Sequence, residues 1–193
     1  MCGRVRKYRP SFLRVVAIFT AVTRIGLLSD THGWLDPRIH EHFAACDEVW
    51  HAGDIGGSHV TDELAKWKTL RAVWGNIDDT RARQTFPEHQ RFTKDGVRVW
   101  MTHIGGRPPQ YDRAVLGELR TSPPALFICG HTHLCTVRFD ERLNMLYMNP
   151  GACGRHGFHH VRTLLRFTLE EAQVKDLEVV ELGPRGAVSP EPV

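Results

Sequence analysis

The stretch "TRIGLLSDTHGWLDPRIHEHFAACDEVWHAGD" covers residues 23–54, and its alternation of apolar and polar segments decides the fold class. Two short apolar runs, residues 23–30 and 48–54, each end in a polar turn, which is typical of buried strands. Residues 36–46 between them predict a helix that Asp36 caps. A strand, a helix and a second strand in this order predict two parallel strands joined by a crossover helix.

The same alternation continues as far as residue 79. A helix is predicted over residues 59–67 and a third strand over residues 70–79, so the first half is expected to be a βαβαβ unit with a largely parallel sheet. The second half contains a helix, a buried strand and three hairpins, and is expected to be mostly antiparallel. These segments are residues 90–103 (around Asp95-Gly96), 111–120, 125–131, 135–151 and 162–182. The sequence therefore predicts a mixed α/β fold without internal repeats.

The composition is that of an ordinary globular protein. The chain has 193 residues, of which 41% are hydrophobic and 24% charged, and this favours one domain. We expect a leader over residues 1–23, a domain over 24–182 and a loose tail over 183–193. The five cysteines show no C-x-x-C spacing, so neither a disulfide framework nor a zinc ribbon is expected. A reducing, cytoplasmic location follows from this cysteine usage.

The basic net charge of +3 belongs to the leader. Residues 1–23 hold five basic residues and no acid, which leaves 20 basic and 22 acidic residues, a balance of −2, in the rest of the chain. We therefore expect no stable nucleic-acid partner. The leader is too short and too charged to span a membrane, and a disordered extension or a start codon assigned too far upstream is favoured over a signal peptide.

The oligomeric state stays open, with a homodimer as the commonest assembly.

Seven side chains that can bind metal ions follow the predicted strands: Asp30, His32, Asp54, Asn76, His103, His131 and His133. The carboxyl ends of strands line the ligand crevice of an open α/β sheet, so residues far apart in sequence can converge there. Oxygen and imidazole donors suit divalent first-row metals. The set offers no thiolate, which argues against a structural zinc site. Seven donors exceed the needs of one tetrahedral ion and suit two ions that share a bridging carboxylate.

The order of these residues resembles that of the calcineurin-like metallophosphoesterases. The matching blocks are "SDTHG" (29–33), "HAGD" (51–54), "GNID" (75–78), "MTHIGG" (101–106) and "GHTH" (130–133). The short chain and the closing "NPGA" (149–152) are similar to the small YfcE-like branch of phosphodiesterases. The resemblance covers about residues 24–182. It implies a four-layer αββα sandwich with two mixed β-sheets and a two-metal site at their edge.

The resemblance also implies a division of the ligands. Asp30, His32, Asp54 and His133 are expected to bind one metal, and Asp54 to bridge to a second metal held by Asn76, His103 and His131. Manganese is the usual expectation, although iron, zinc, nickel or cobalt could occupy such ligands. The chain departs from the wider superfamily at Ile77, because many members have a histidine there that protonates the leaving group or steadies the phosphate. Asp78 matches the acidic position of the block, where it is expected either to take part in catalysis or only to orient a ligand or loop.

The function implied is hydrolysis of a small phosphodiester by in-line attack of a hydroxide that bridges the two metals. Asp54, Asn76, His103 and Asp78 are the expected catalytic residues. Arg107, and either Arg155 or His156, are candidates for contact with the substrate. The alternative is a non-catalytic binding scaffold of the same fold, similar to the retromer subunit, although the complete ligand set favours the enzyme. The sequence leaves open whether the substrate is a cyclic nucleotide, another small diester or a nucleic-acid end.

Overall fold

The structure, a computed structural model, describes residues 21–186. The predicted leader up to residue 20 and residues 187–193 of the predicted tail lie outside the described residues. In chain order the elements are β1 (Val22–Leu28), α1 (Ile39–His42), β2 (Glu48–His51), α2 (Ser58–Trp67), β3 (Thr69–Ala72), α3 (Thr80–Thr85), β4 (His89–Lys94), β5 (Val97–Thr102), β6 (Gly106–Arg107), β7 (Gln110–Tyr111), α4 (Arg113–Thr121), β8 (Leu126–Ile128), β9 (Cys135–Asp140), β10 (Met145–Pro150), β11 (Val161–Glu170) and β12 (Gln173–Pro184).

The strands form two mixed sheets of five strands each, with a short β6–β7 ribbon beside them. The first sheet has the order β12-β11-β1-β2-β3, in which β1, β2 and β3 are parallel and β11 and β12 are antiparallel. The second has the order β4-β5-β8-β10-β9. Its central strands β5, β8 and β10 are parallel, and only its edge strands are antiparallel to their neighbours.

The expectation of a mostly antiparallel second half is therefore wrong at the centre of the second sheet. The three hairpins form as predicted, namely β4–β5, β9–β10 and β11–β12. The chain crosses from β5 to β8 through α4, however, and such a crossover makes the two strands parallel. Hairpin signals describe neighbours in sequence, whereas this parallel pairing joins strands that are not consecutive.

The layers follow from where the apolar side chains lie. The inner faces of the two sheets share one buried core, to which Ile25, Trp50, Val99, Ile128 and Leu165 belong. Helices α1 and α2 cover the outer face of the first sheet, with Phe43 and Leu64 buried there. Helix α4 covers the outer face of the second sheet through Val115 and Leu119. The result is the αββα sandwich expected from the sequence.

Two helices differ from the prediction. The helix predicted over residues 36–46 is regular only over Ile39–His42, because Asp36 and the residues after it form turns and Asp36 is buried in an ion pair. Helix α3 was not predicted at all, and the strand predicted over residues 70–79 ends at Ala72, before the loop that leads to α3. Its cap is Asp79, whose Oδ1 accepts a hydrogen bond from the backbone N–H of Ala82 at 2.8 Å.

A buried ion pair ties the loop after β1 to the last two strands. Asp36 and Arg162 are both fully buried, and Arg162 Nη1 lies 2.6 Å from Asp36 Oδ2. Arg162 also donates to the carbonyl of Leu182 at 3.0 Å, and Arg38 donates to the same carboxylate. Burial alone would raise the pKa of Asp36, but the hydrogen bonds from Arg38 and Arg162 outweigh it and hold that pKa well below its usual value.

Removing one partner of this pair should destabilise the fold strongly. We expect Arg162→Ala to lower the free energy of unfolding by about 3–5 kcal/mol, because Asp36 is left as a charge with fewer partners in the core. Urea denaturation followed by circular dichroism measures this change.

The matched control is Glu118→Gln, which breaks the exposed pair between Glu118 and Arg91. We expect this change to alter the free energy of unfolding by less than about 1 kcal/mol. Equal effects of the two substitutions would contradict a supporting role for the buried pair.

Candidate metal centre

The seven predicted ligands lie in loops that follow β1, β2, β3, β5 and β8. These strands are parallel to their neighbours within each sheet, so their carboxyl ends meet at one edge of the sandwich. Six of the seven fall into two clusters in which the possible ligand atoms lie within 4.8 Å of one another. The clusters are Asp30, His32 and His133, and Asp54, His103 and His131.

The first cluster is held by short contacts between the loops after β1 and β8. His133 Nε2 lies 3.1 Å from Asp30 Oδ1 and 3.4 Å from His32 Nε2. Asp30 is fully buried, and its second oxygen, Oδ2, accepts a hydrogen bond from the backbone N–H of His131 at 3.2 Å. One carboxylate oxygen and two imidazole nitrogens therefore face a common point, as ligands of one cation would.

The second cluster is centred on Asp54. His103 Nε2 lies 3.2 Å from Asp54 Oδ1, and the rings of His103 and His131 are 5.3 Å apart. The other oxygen, Asp54 Oδ2, lies 3.8 Å from His32 Nε2 of the first cluster. Of the two carboxylates in these clusters, Asp54 is thus the one whose oxygens face histidine side chains of both. Asn76 is exposed and lines the same cavity as Asp54.

The hydrogen bonds of His103 show that the donor set fits a cation. Its Nδ1 lies 2.8 Å from the carbonyl oxygen of Ala52, which can only accept, so Nδ1 carries a proton. Its Nε2 and Asp30 Oδ1 are buried and make no well-aligned hydrogen bond among the described residues, although Asp54 Oδ1 lies 3.2 Å from the first and His133 Nε2 lies 3.1 Å from the second. Burial lowers the pKa of His103, but Asp54 and Asp30 outweigh it and raise that pKa. The raised pKa corresponds to a second proton, on Nε2. A divalent cation beside Nε2 would take the place of this second proton.

The backbone is unusual at the same residues. Five of the seven ligands have the left-handed conformation, with φ of 56° at Asp30, 48° at His32, 54° at Asp54, 69° at His131 and 59° at His133. Asp and His tolerate this region better than most residues, yet each instance carries conformational strain of about 1–3 kcal/mol. The other five non-glycine residues with positive φ among those described lie in the three hairpins. Strain at several residues of one loop cluster, outside the hairpins, is typical of a functional site.

Two glycines allow the loops to approach one another. A Cβ atom on Gly75 would lie 2.1 Å from Asp54 Oδ1, and one on Gly130 would lie 2.1 Å from Ser29 Oγ. Both distances are far below van der Waals contact, so neither position accepts a larger residue in this arrangement. Close packing of the loops therefore explains why glycine precedes both Asn76 and His131.

Asp78 supports the loops instead of facing the cavity. Its carboxylate accepts hydrogen bonds from the backbone N–H groups of Ile55, Gly56 and Gly75 at 3.2, 2.8 and 2.8 Å. Five of the seven predicted ligands line the cavity, whereas Asp78, like Asp30 and His103, lies behind its surface. Asp78 thus joins the loops after β2 and β3, as a residue that orients loops would, and its expected part in catalysis stays a prediction.

His51 joins the loops after β1 and β2. It is fully buried, its Nδ1 accepts a hydrogen bond from the N–H of Gly53, and its Nε2 lies 2.9 Å from Thr31 Oγ1. Thr31 Oγ1 in turn donates to the carbonyl of Ile55 at 2.8 Å. Burial lowers the pKa of His51 to about 4, so the ring is neutral at pH 7.

The two arginines considered as substrate contacts do not line the cavity. The guanidinium of Arg155 lies 3.9 Å from the centre of the Trp34 ring, and Arg107 is exposed on the β6–β7 ribbon. His156, the alternative to Arg155, does line it, and its ring lies 4.7 Å from that of His32.

The cavity, of about 540 Å³, also includes residues that sequence reasoning did not assign to the site. They are Thr132, Leu134, Gly157, Phe158 and His159. His159 is buried, and its ring lies 5.3 Å from that of His133. The signal that could have found this segment is the density of histidine in "RHGFHH" (155–160), directly after the "NPG" turn.

Comparisons with known proteins agree with this geometry. A model of the calcineurin-like phosphoesterase superfamily domain matches residues 23–172. A probable metallophosphoesterase of Methanocaldococcus jannaschii is 28% identical over 134 residues, which is 66% of this chain and 67% of the relative.

Solved structures of similar fold include an archaeal phosphodiesterase, which is 23% identical with a TM-score of 0.67 over 82% of this chain and 99% of that one. A Vps29 of Entamoeba histolytica is 19% identical, with a TM-score of 0.59 over 83% of this chain and 99% of that one. At such identities these two structures establish a shared fold alone. Within residues 21–186, no helix has the length and apolar character needed to cross a membrane.

The buried ring of His51 predicts how stability depends on pH. Its folded pKa of about 4 lies below the unfolded value near 6.5, so between these values the unfolded state binds a proton that the folded state does not. Stability should therefore fall by up to about 3 kcal/mol as pH drops from 6.5 to 4. His51→Gln, which keeps a polar group near Thr31, should remove this contribution.

Urea denaturation in EDTA at pH 7, 5.5 and 4.5 measures the difference between wild type and His51→Gln. His160→Gln, at an exposed position, is the control and should keep the wild-type dependence. An unchanged pH dependence in His51→Gln would contradict the account of this residue.

Proposed function

Because the chain belongs to the calcineurin-like phosphoesterase superfamily, we propose that it is a metal-dependent phosphodiesterase that hydrolyses small phosphodiesters. The family implies a phosphoester hydrolase that uses divalent metal ions. The observation that carries the finer proposal is the convergence of two donor clusters on the carboxylate of Asp54. Such an arrangement suits a pair of ions that share one ligand.

Each residue has a proposed place in this centre. Asp30, His32 and His133 would hold one ion, Asn76, His103 and His131 would hold the other, and Asp54 would bind both. Oxygen and imidazole donors without thiolate suit Mn²⁺, which we propose as the metal, and would also accept iron, zinc, nickel or cobalt. The hydrogen bond from His103 Nδ1 to Ala52 fixes the ring so that Nε2 points to the second position.

Charge explains why such a centre attracts a phosphodiester. The donor set contains two carboxylates, Asp30 and Asp54, and five neutral groups. Two divalent ions would therefore leave a net charge of about +2 in a partly buried site, where electrostatic attraction is stronger than in water. When bound, the ions supply charge to stabilise phosphoryl oxygens and make water a competent nucleophile near neutral pH. The protein's part is to hold the seven donors in one arrangement before the substrate arrives.

Ile77 narrows the range of leaving groups. It follows Asn76, lines the cavity and is 46% exposed, but its side chain cannot donate a proton. General acid catalysis typically contributes about 10²–10⁴-fold, and this position cannot supply it. We therefore propose that the best substrates have leaving groups that depart as anions, such as aryl esters.

The scaffold alternative has less support from the site. A binding platform has no need of seven metal donors, nor of five of them in a strained backbone conformation. Without a cation, the buried Nε2 of His103 and Oδ1 of Asp30 would have only poorly aligned contacts with Asp54 and His133 to offset their desolvation penalty. The same donors and the same strain are what a hydrolytic centre requires.

Two broader proposals accompany the activity. Residues 24–182 are proposed to form a single catalytic domain, since both sheets contribute to one core and one site. Cys46, Cys129 and Cys153 are buried free thiols, which supports a reducing, cytoplasmic setting. A homodimer stays a prediction from the sequence.

Activity measurements test the proposed function. Protein loaded with Mn²⁺ should hydrolyse bis(p-nitrophenyl) phosphate, and should act far less on dialkyl phosphates, because an alkoxide leaves poorly without a proton. Asp54→Ala and His131→Ala should each lower kcat/KM by at least about 10²-fold, since each removes a group that holds the charge at the reacting centre.

The control is Glu118→Gln, whose exposed side chain is on α4 and does not line the cavity. It should retain the wild-type kcat/KM. Wild-type protein shown by mass spectrometry to hold metal, yet inert towards diesters, would contradict the proposed phosphodiesterase, and inertness towards monoesters as well would contradict any phosphoester hydrolase.

A further inference from the structure

We propose that the substrate is a singly charged diester whose organic group is apolar and planar, and that this group packs on an apolar rim formed by Ile77, Leu134 and Phe158. The inference rests on the proposed function and names the substrate class of the same site. It follows from the exposure of these three side chains, their attachment to the ligand loops, and the charge of the cavity wall.

The rim is exposed apolar surface concentrated at one place. Leu134 is 53% exposed and Phe158 is 100% exposed, and both line the metal cavity together with Ile77. The three residues come from different loops, which follow β8, β10 and β3. Single exposed apolar residues are ordinary, but a group of them around a polar cavity marks a surface that binds an apolar partner.

The rim is attached directly to the metal ligands. The backbone N–H of Ile77 donates to Asp54 Oδ1 at 3.1 Å, and Leu134 directly follows His133. Gly157, which precedes Phe158, lies against the ring of His133, so that a Cβ there would be 2.1 Å from His133 Nδ1. A group attached to a phosphate at the metal centre would therefore lie within reach of the rim.

The charge of the residues that line the cavity argues against a polyanionic substrate. Among the described residues that line the cavity, none is lysine or arginine. Proteins that follow the backbone of a nucleic acid rely on such cations for each phosphate they contact. Here positive charge would come only from the metal centre, which suits one phosphate group with uncharged substituents. The cavity of about 540 Å³ has the size of an ordinary small-molecule site.

Two substrates with one leaving group isolate the rim. Phenyl p-nitrophenyl phosphate and methyl p-nitrophenyl phosphate have the same charge and both release p-nitrophenolate. The full chain loaded with Mn²⁺ is used, and the ratio of the two kcat/KM values is divided by the ratio of the rate constants for hydrolysis of the two esters by hydroxide in solution. We expect this corrected ratio to favour the phenyl ester by about 10-fold or more. The double variant Leu134→Ala/Phe158→Ala should lower that preference at least several-fold.

Phe139→Ala is the matched control, because Phe139 is 53% exposed but lies on β9 and does not line the cavity. It should keep the wild-type preference. A second readout is calorimetric binding of phenylphosphonate and methylphosphonate to the Mn²⁺-loaded protein, with metal content checked by mass spectrometry. The tighter binding of phenylphosphonate should weaken in the double variant and persist in Phe139→Ala.

The outcomes separate the two proposals. If metal-loaded protein cleaves neither ester, the proposed function fails, and this inference falls with it. If it cleaves both esters without preference, or if the double variant keeps the wild-type preference, the apolar rim is overturned while the phosphodiesterase stands.

Discussion

The carboxylate of Asp54 is the group on which the rest of the site depends. It is almost fully buried, and its two oxygens face a histidine of each cluster, His103 on one side and His32 on the other. A carboxylate held between imidazole nitrogens in a desolvated position needs either protons or cations to be stable. The family to which the chain belongs uses divalent ions, and the fixed hydrogen bond of His103 to Ala52 leaves Nε2 available to one.

The fold supplies this arrangement by ending parallel strands of both sheets at one edge. Loops then come so close, within the first sheet at position 75 and between the two sheets at position 130, that glycine is required at both. Asp78 and His51 use their side chains to join neighbouring loops through backbone amides, a threonine hydroxyl and carbonyl groups. The strained backbone at the ligands is thus supported by hydrogen bonds on the side away from the cavity. This rigidity keeps the donors in place before any ion or substrate binds.

Much of this could be predicted from the sequence, because each ligand directly follows an apolar run and the order of the blocks is specific. The hairpins could equally be predicted from turn residues such as Asp95-Gly96. The parallel centre of the second sheet was not, since it joins strands distant in sequence. Asp78 was grouped with the catalytic residues because its spacing matches a catalytic block, while its hydrogen bonds to neighbouring loops exist only in the folded protein. Arg155 looked available for substrate, but Trp34 lies beside its guanidinium. The apolar rim comes from three separate loops, and no local pattern joins them.

Anomalous diffraction from crystals of the Mn²⁺-loaded protein tests the central claim most directly. The account predicts two peaks, one bounded by Asp30, His32 and His133 and the other by Asn76, His103 and His131, with Asp54 coordinating both ions. A single peak, or two peaks of which only one is coordinated by Asp54, would contradict the shared carboxylate from which the proposed function is argued.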